Sequence, residues 1–232
     1  MQIPGTPSLL LLAYLLVVLP WTVFRSARRL QAARADGASL PVSRVRVWVS
    51  TLATQLLLLW LAWWAGSSFG YPFFALGPLG GREIAAGVVA LMLALLLRQV
   101  ARAIRSEEER RRMLVYALAP RTAGEWLWWT AVVLVAGVTE EVAYRGVAHA
   151  ILWYSLGNPW AAALISATAF ALAHWTQGWK SAVVIFALAL VLHGLVAFTG
   201  TLVLAIAVHL LFDWVAGILI ARQARRYELM PS

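Results

Sequence analysis

Residues 124–156 read GEWLWWTAVVLVAGVTEEVAYRGVAHAILWYSL, an apolar run with two glutamates and an arginine in its middle. A helix that crosses a bilayer needs about 20 mainly apolar residues. At a rise of about 1.5 Å per residue, a helix from Glu125 to Leu156 would extend over about 46 Å. The run therefore predicts a long membrane helix that tilts, kinks near Gly137 or Gly146, or protrudes from the bilayer.

The composition of the whole chain also indicates a membrane protein. Of its 232 residues, 62% are hydrophobic and 12% are charged, whereas soluble domains are about half apolar and a quarter charged. We expect an all-α fold, a polytopic transmembrane helix bundle of seven to eight helices. The predicted spans are residues 7–24, 46–66, 83–98, 124–156, 159–176, 181–198 and 201–221.

The net charge of +9 comes almost wholly from arginine, since Lys180 is the only lysine. Basic residues cluster at 25–46, 98–121, Lys180 and 222–226. With the N-terminus outside and seven crossings, all four clusters fall on the cytoplasmic side, as the positive-inside rule requires. We therefore expect an integral protein of a bacterial cytoplasmic membrane with a cytoplasmic C-terminus. The lipid bilayer is its expected surrounding, and nucleic acid is not an expected partner.

Ionisable side chains inside membrane spans indicate function, because each ionised group costs about 2.5–3.5 kcal/mol at a helix centre. Glu141 and Arg145 are four residues apart and share a helix face, so they can pair. Glu140 is offset by about 100° and keeps its carboxylate for another partner. His209 and Asp213 are also four residues apart and share a face.

Polar residues on different helices are also expected to lie at similar depths in the membrane, where their side chains can meet. Glu140 precedes Gly157 by as many residues as His174 follows it, so an antiparallel hairpin would place both side chains at one depth. His209 descends from the same outer side after Gly200. We expect carboxylates and imidazoles from three helices to converge within the bilayer.

Two kinds of chemistry fit such a set. A buried carboxylate beside an imidazole can take a proton from water, and a neighbouring histidine can donate to the developing oxyanion. Alternatively, Glu140, His174, His209 and Asp213 could hold a divalent metal such as zinc. The residues leave the choice between these two open. Neither the H-E-x-x-H motif of zinc proteases nor the G-x-G-D motif of aspartyl intramembrane proteases occurs in the chain.

Three short motifs carry the polar residues of these spans: EEVAYRG at residues 140–146, FALAH at residues 170–174 and HLLFD at residues 209–213. They resemble, in this order, the EExxxR, FxxxH and HxxxN/D motifs of the CAAX-protease and bacteriocin-processing (CPBP) family. Their order and spacing also resemble the family. The resemblance covers about residues 124–221 and implies an intramembrane endopeptidase.

The resemblance also implies roles for individual residues. Glu140 and His174 would activate water, while His209 and Asp213 would bind the oxyanion or a metal. Asp213 stands where many members have asparagine, and His193 stands where a small residue is expected. An aspartate donates to an oxyanion only when protonated but is a good metal ligand, which leaves the metal-free role of this position open.

Supporting roles follow from the same motifs for Glu141, Arg145 and Phe170. The resemblance further divides the chain into residues 1–120, with N-terminal transmembrane helices and basic cytoplasmic loops, and residues 121–232, a CAAX-protease-like catalytic core. The expected substrate is a membrane-associated protein or peptide.

Two other functions are compatible with the sequence. One is a non-catalytic membrane scaffold or immunity-type protein that keeps the polar cluster for stability. The other is an ion or proton transporter, since buried carboxylates and histidines also serve as relays. Transporters often carry internal repeats, and none is found in this chain.

Overall fold

The computed structural model describes residues 4–35, 43–73, 77 and 79–229, and within these ranges every regular element is helical. The α-helices are α1 (Thr6–Ala13), α2 (Leu19–Ala35), α3 (Arg44–Phe69), α4 (Gly81–Ala103), α5 (Glu107–Arg112), α6 (Leu114–Ala117), α7 (Ala123–Glu140), α8 (His149–Leu156), α9 (Pro159–Ala173), α10 (Trp179–Thr199) and α11 (Val203–Leu229). π-helical turns at Tyr14–Val18 and Glu141–Ala148 join α1 to α2 and α7 to α8, and a 3₁₀ turn at Trp175–Gln177 follows α9.

Six of the described helices are long and apolar enough to cross a membrane. They are Thr6–Arg29, Arg44–Phe69, Gly81–Ala103, Ala123–Leu156, Trp179–Thr199 and Val203–Tyr227. The remaining predicted span, 159–176, is the shorter helix α9 of 15 residues. It ends early because the chain turns at His174 and then at Gly178, whose φ of 86° favours glycine. The all-α polytopic bundle is confirmed, and the protein is an integral membrane protein.

The surface of the bundle is suited to lipid. Large apolar side chains are exposed along its outer helices, among them Val17, Met92, Leu127 and Trp160. A soluble protein does not expose so much contiguous apolar surface. The helix contacts inside are instead rich in alanine, which lets helix backbones approach closely within a membrane. Such buried alanines are Ala62, Ala65, Ala94, Ala143, Ala167, Ala189 and Ala205.

The long central helix begins with a capping box. The Thr122 side chain accepts a hydrogen bond from the backbone N–H of Glu125, and the Glu125 carboxylate accepts from the Thr122 N–H. Arg44 at the start of α3 donates to the same carboxylate at 3.0 Å. α3 and α7 therefore start at the same end of the bundle, and they pack along each other.

Further polar contacts join the helix ends on this side. Lys180, at the start of α10, donates to the Glu109 carboxylate at 2.8 Å, and Arg105 donates to Ser181 at 2.7 Å. The hydrogen bond from Lys180 lowers the pKa of the exposed Glu109 carboxyl below its ordinary value. We call the end of the bundle that carries Arg44, Arg105 and Lys180 the basic end.

Candidate active site

The glutamate pair lies where α7 passes into the π-helical segment Glu141–Ala148. π-helical turns interrupt α-helices frequently at functional sites. Ser166 on α9 donates to the Tyr144 carbonyl at 2.8 Å and so ties α9 to this segment. A Cβ added to Gly146 would lie 2.9 Å from the Tyr71 hydroxyl, so the close approach there depends on glycine. The segment is thus held from two sides.

Glu141 is the centre of a buried ionic contact. The Arg145 Nη1 lies 3.1 Å from Glu141 Oε1, with both side chains completely buried. The His209 Nδ1 lies 2.7 Å from the same oxygen. The Arg145 guanidinium also lies over the Phe170 ring, 4.2 Å from its centroid. The spacing of Glu141 and Arg145 predicts their pairing, whereas the contact with His209 links α11 to the π-helical segment and was not predicted.

Glu140 has different neighbours from Glu141. Its Oε1 accepts a hydrogen bond of 2.6 Å from the Nε2 of Gln55, a buried amide on α3. Its Oε2 lies 3.8 Å from the Nε2 of His209. Sequence reasoning missed Gln55, and the signal that could have found it is a single amide in the apolar stretch LATQLLLLW, residues 52–60. Glu140 thus faces a neutral donor on one oxygen and an imidazole on the other.

His209 is surrounded by carboxylates. Its Nδ1 contacts Glu141, and its Nε2 lies 3.5 Å from the Asp213 Oδ2 as well as near Glu140. An imidazolium satisfies such surroundings, because both of its ring nitrogens donate. The structure therefore brings together four of the predicted site residues, Glu140, Glu141, His209 and Asp213.

His174 lies on the other side of the Phe170 ring. The ring centroids of Phe170 are 4.6 Å from His174 and 6.2 Å from His209. The His174 Nδ1 lies 2.8 Å from the Phe170 carbonyl oxygen, which can only accept, so Nδ1 carries the proton and Nε2 is left as the acceptor in the neutral ring. Within the described residues no hydrogen bond or ion pair joins His174 to Glu140.

A zinc site would need at least three histidine, aspartate or glutamate side chains around one position. Among the residues that the structure describes, no such group is arranged to hold a metal ion. The contacts of the His209 Nδ1 with Glu141 and of the His174 Nδ1 with a backbone carbonyl leave the Nε2 atom of each ring as the nitrogen that could act in the site.

The two remaining histidines form a separate pair. The rings of His149 and His193 are 5.1 Å apart between centroids, and the His149 Nε2 lies 3.2 Å from the Pro159 carbonyl oxygen. Neither ring has a hydrogen bond or ion pair with Glu140 in the described part of the chain. We expect neither His149 nor His193 to act in catalysis, and this stays a prediction.

One protein family matches the part of the chain that carries these motifs. The model of the family described as Type II CAAX prenyl endopeptidase Rce1-like matches residues 122–215. The match begins at the cap of α7 and ends within α11, so it includes all three motifs and leaves out Gln55. Comparison with curated proteins and with solved structures gave no match.

Proposed function

Because residues 122–215 match the model of the Rce1-like family of type II CAAX prenyl endopeptidases, we propose that the protein is an intramembrane endopeptidase. It hydrolyses a peptide bond of a membrane-associated protein or peptide. The observation that supports this function best is the convergence of Glu140, His209 and Asp213 inside a membrane bundle, with His174 across one aromatic ring. Carboxylates and imidazoles at this depth are costly unless they are used or paired.

The first step of the proposed reaction is attack by water. The Glu140 carboxylate takes one proton from the water molecule while the water oxygen forms a bond to the carbonyl carbon of the substrate. The His174 Nε2, which is left as an acceptor, receives the second hydrogen bond of the water and orients its lone pair. The carbonyl π-bond opens, and its electron pair becomes the oxyanion of a tetrahedral intermediate.

The second step expels the amine. The His209 imidazolium donates a hydrogen bond from its Nε2–H to the oxyanion and keeps this proton. The hydrogen bond between its Nδ1 and Glu141 fixes the orientation of the ring. Asp213 lies against Nε2 and balances the charge of the ring. The C–N bond then breaks, and the proton held by Glu140 passes to the leaving nitrogen. The products are a carboxylic acid and a free amine, and the side chains return to their starting states.

The test is a comparison of membrane and secreted peptides from cells that carry wild type or Glu140→Gln at matched expression. We expect one or more proteins to accumulate uncut in the variant, because loss of a general base lowers the rate by about 10²–10⁴-fold. The matched control is Glu108→Gln, an exposed glutamate on α5, which should leave the peptide profile unchanged.

Other outcomes favour the other functions. Identical profiles for wild type and Glu140→Gln, with a phenotype for the full deletion, would replace the peptidase by a scaffold or immunity-type protein. Ion or proton flux in liposomes without proteolysis would replace it by a transporter.

A further inference from the structure

Gln55 lies outside the residues that match the protease family, yet its side chain contacts the proposed general base. We infer that Gln55 is a positioning residue of the reaction, which holds one oxygen of Glu140 so that the other is the one that takes the proton from water. This inference rests on the proposed function and adds a residue from α3 to it.

The geometry of the contact is specific. Gln55 and Glu140 are 9% and 8% exposed, and their side chains meet at 2.6 Å although they are 85 residues apart in the chain. Among the described residues, Gln55 is the one hydrogen-bond donor to the Glu140 carboxylate. The His209 Nε2 lies 3.8 Å from the other carboxylate oxygen, which is too far for a hydrogen bond. Oε1 is therefore engaged, and Oε2 faces the imidazole that stabilises the oxyanion.

The chemical type of the partner also matters. A buried carboxylate without a donor pays a large desolvation cost. An arginine in this place would bring a full positive charge, as the Arg145 guanidinium does 3.1 Å from the Glu141 carboxylate. An amide supplies the hydrogen bond without a charge, so it orients Glu140 and leaves its negative charge available for a proton.

The other end of the amide supports the same role. The Oε1 of Gln55 is buried and has no hydrogen-bond partner within the described residues. Buried polar groups in proteins are nearly always paired with protein or water. An acceptor beside Glu140 offers a place to which a water molecule can donate, next to the carboxylate that would activate it.

The experiment uses the purified full-length protein in lipid vesicles and the substrate found through the Glu140→Gln comparison. Gln55→Met keeps the length of the side chain and removes both polar ends, and Gln55→Asn keeps the amide but is one methylene shorter, which withdraws the donor from Glu140. Leu56→Met, at an exposed neighbouring position on α3, is the matched control. We expect kcat to fall by about 10²-fold in both Gln55 variants with KM nearly unchanged, and no change in the control.

A second readout does not depend on turnover. The infrared carboxylate band that disappears in Glu140→Gln belongs to Glu140, and we expect this band to shift in Gln55→Met and not in Leu56→Met. A fall in kcat without a band shift would make Gln55 a purely structural residue and overturn the inference, as would a wild-type kcat in Gln55→Met.

Failure of the proposed function gives a different result. In that case wild type itself does not cleave the peptide, and Glu140→Gln behaves as wild type does. If Gln55→Met does not fold, the same two readouts on Gln55→Asn decide the inference, since that side chain keeps the polar amide of the native one.

Discussion

At the scale of single residues, two neighbouring glutamates differ in almost every contact. Glu141 is bound by the Arg145 guanidinium and by His209 and is completely buried. Glu140 has one amide donor and faces the cluster of His209 and Asp213. We propose that Glu141, which is bound to the buried Arg145 cation, maintains structure, and that Glu140, whose hydrogen bond comes from a neutral amide, exchanges a proton. The pair thus divides support and the proposed chemistry between adjacent positions.

Removal of the Arg145 charge tests the supporting half of this division. Arg145→Met should lower the free energy of unfolding by about 3–5 kcal/mol, because it leaves a buried carboxylate with one partner fewer. The measurement is denaturant unfolding in mixed detergent micelles. Arg112→Met, which removes an exposed partner of Glu108, should change it by about 1 kcal/mol or less. Equal effects of the two substitutions would contradict a supporting role for Arg145.

At the scale of helices, the site depends on how closely α11 packs against α7. A Cβ added to Gly217 on α11 would lie 2.6 Å from the Trp129 Nε1, and one added to Gly137 on α7 would lie 2.5 Å from a Leu210 methyl. The indole ring is rigid, so the contact at Gly217 can be relieved only by movement of the ring or of the helix. Because His209 is on the same helix as Gly217, its approach to Glu141 depends on this packing.

A larger residue at Gly217 should therefore separate the two helices. We expect Gly217→Val to lower the free energy of unfolding by about 1–3 kcal/mol through overpacking, and to lower peptide cleavage. Gly194→Val on α10 is the control, because a Cβ there meets nothing within 4 Å. Unfolding in detergent and cleavage of the same substrate measure the two effects. A Gly217→Val variant as stable and active as Gly194→Val would show that the helix contact does not position the site.

At the scale of the whole molecule, most of the described charged residues outside the site lie at one end of the bundle. At the basic end, α5, α6, α10 and the end of α11 contact one another. The ring centroids of Tyr116 and Tyr227 lie 5.2 Å apart there, and the Arg111 guanidinium lies over the Tyr227 ring. The opposite end carries the turns at Gly70, Gly157 and Gly200. We propose that the basic end faces the cytoplasm, as the positive-inside rule requires.

The absence of cysteine makes this orientation directly measurable. Ser67→Cys, near the end of α3, and Glu108→Cys, on α5, place single thiols at opposite ends of the bundle, both exposed. In intact cells a membrane-impermeant maleimide should label the first, and it should label the second only after the membrane is opened. The reverse pattern would mean that the basic end faces outward. Labelling of the cysteine-free parent measures the background.

The sequence by itself determined the class of the fold and the contacts within single helices. The lengths of six of the seven apolar runs predicted the membrane spans, because the bilayer sets the number of residues needed to cross it, and the seventh run gave the shorter helix α9. The spacing of Glu141 and Arg145 placed them on one face, since helix geometry alone brings residues four apart together. The functional assignment of the site residues stays a prediction.

The tertiary structure alone decided which helices meet at the site. Gln55 reaches Glu140 across 85 residues, and His209 reaches Glu141 across 68. The early end of α9, which places His174 in a turn, also depends on its surroundings. Local periodicity shows which face of a helix is polar, but the rotation and depth of each helix are set by its packing against the others. Contacts between distant residues follow from that packing and cannot be read from one helix at a time.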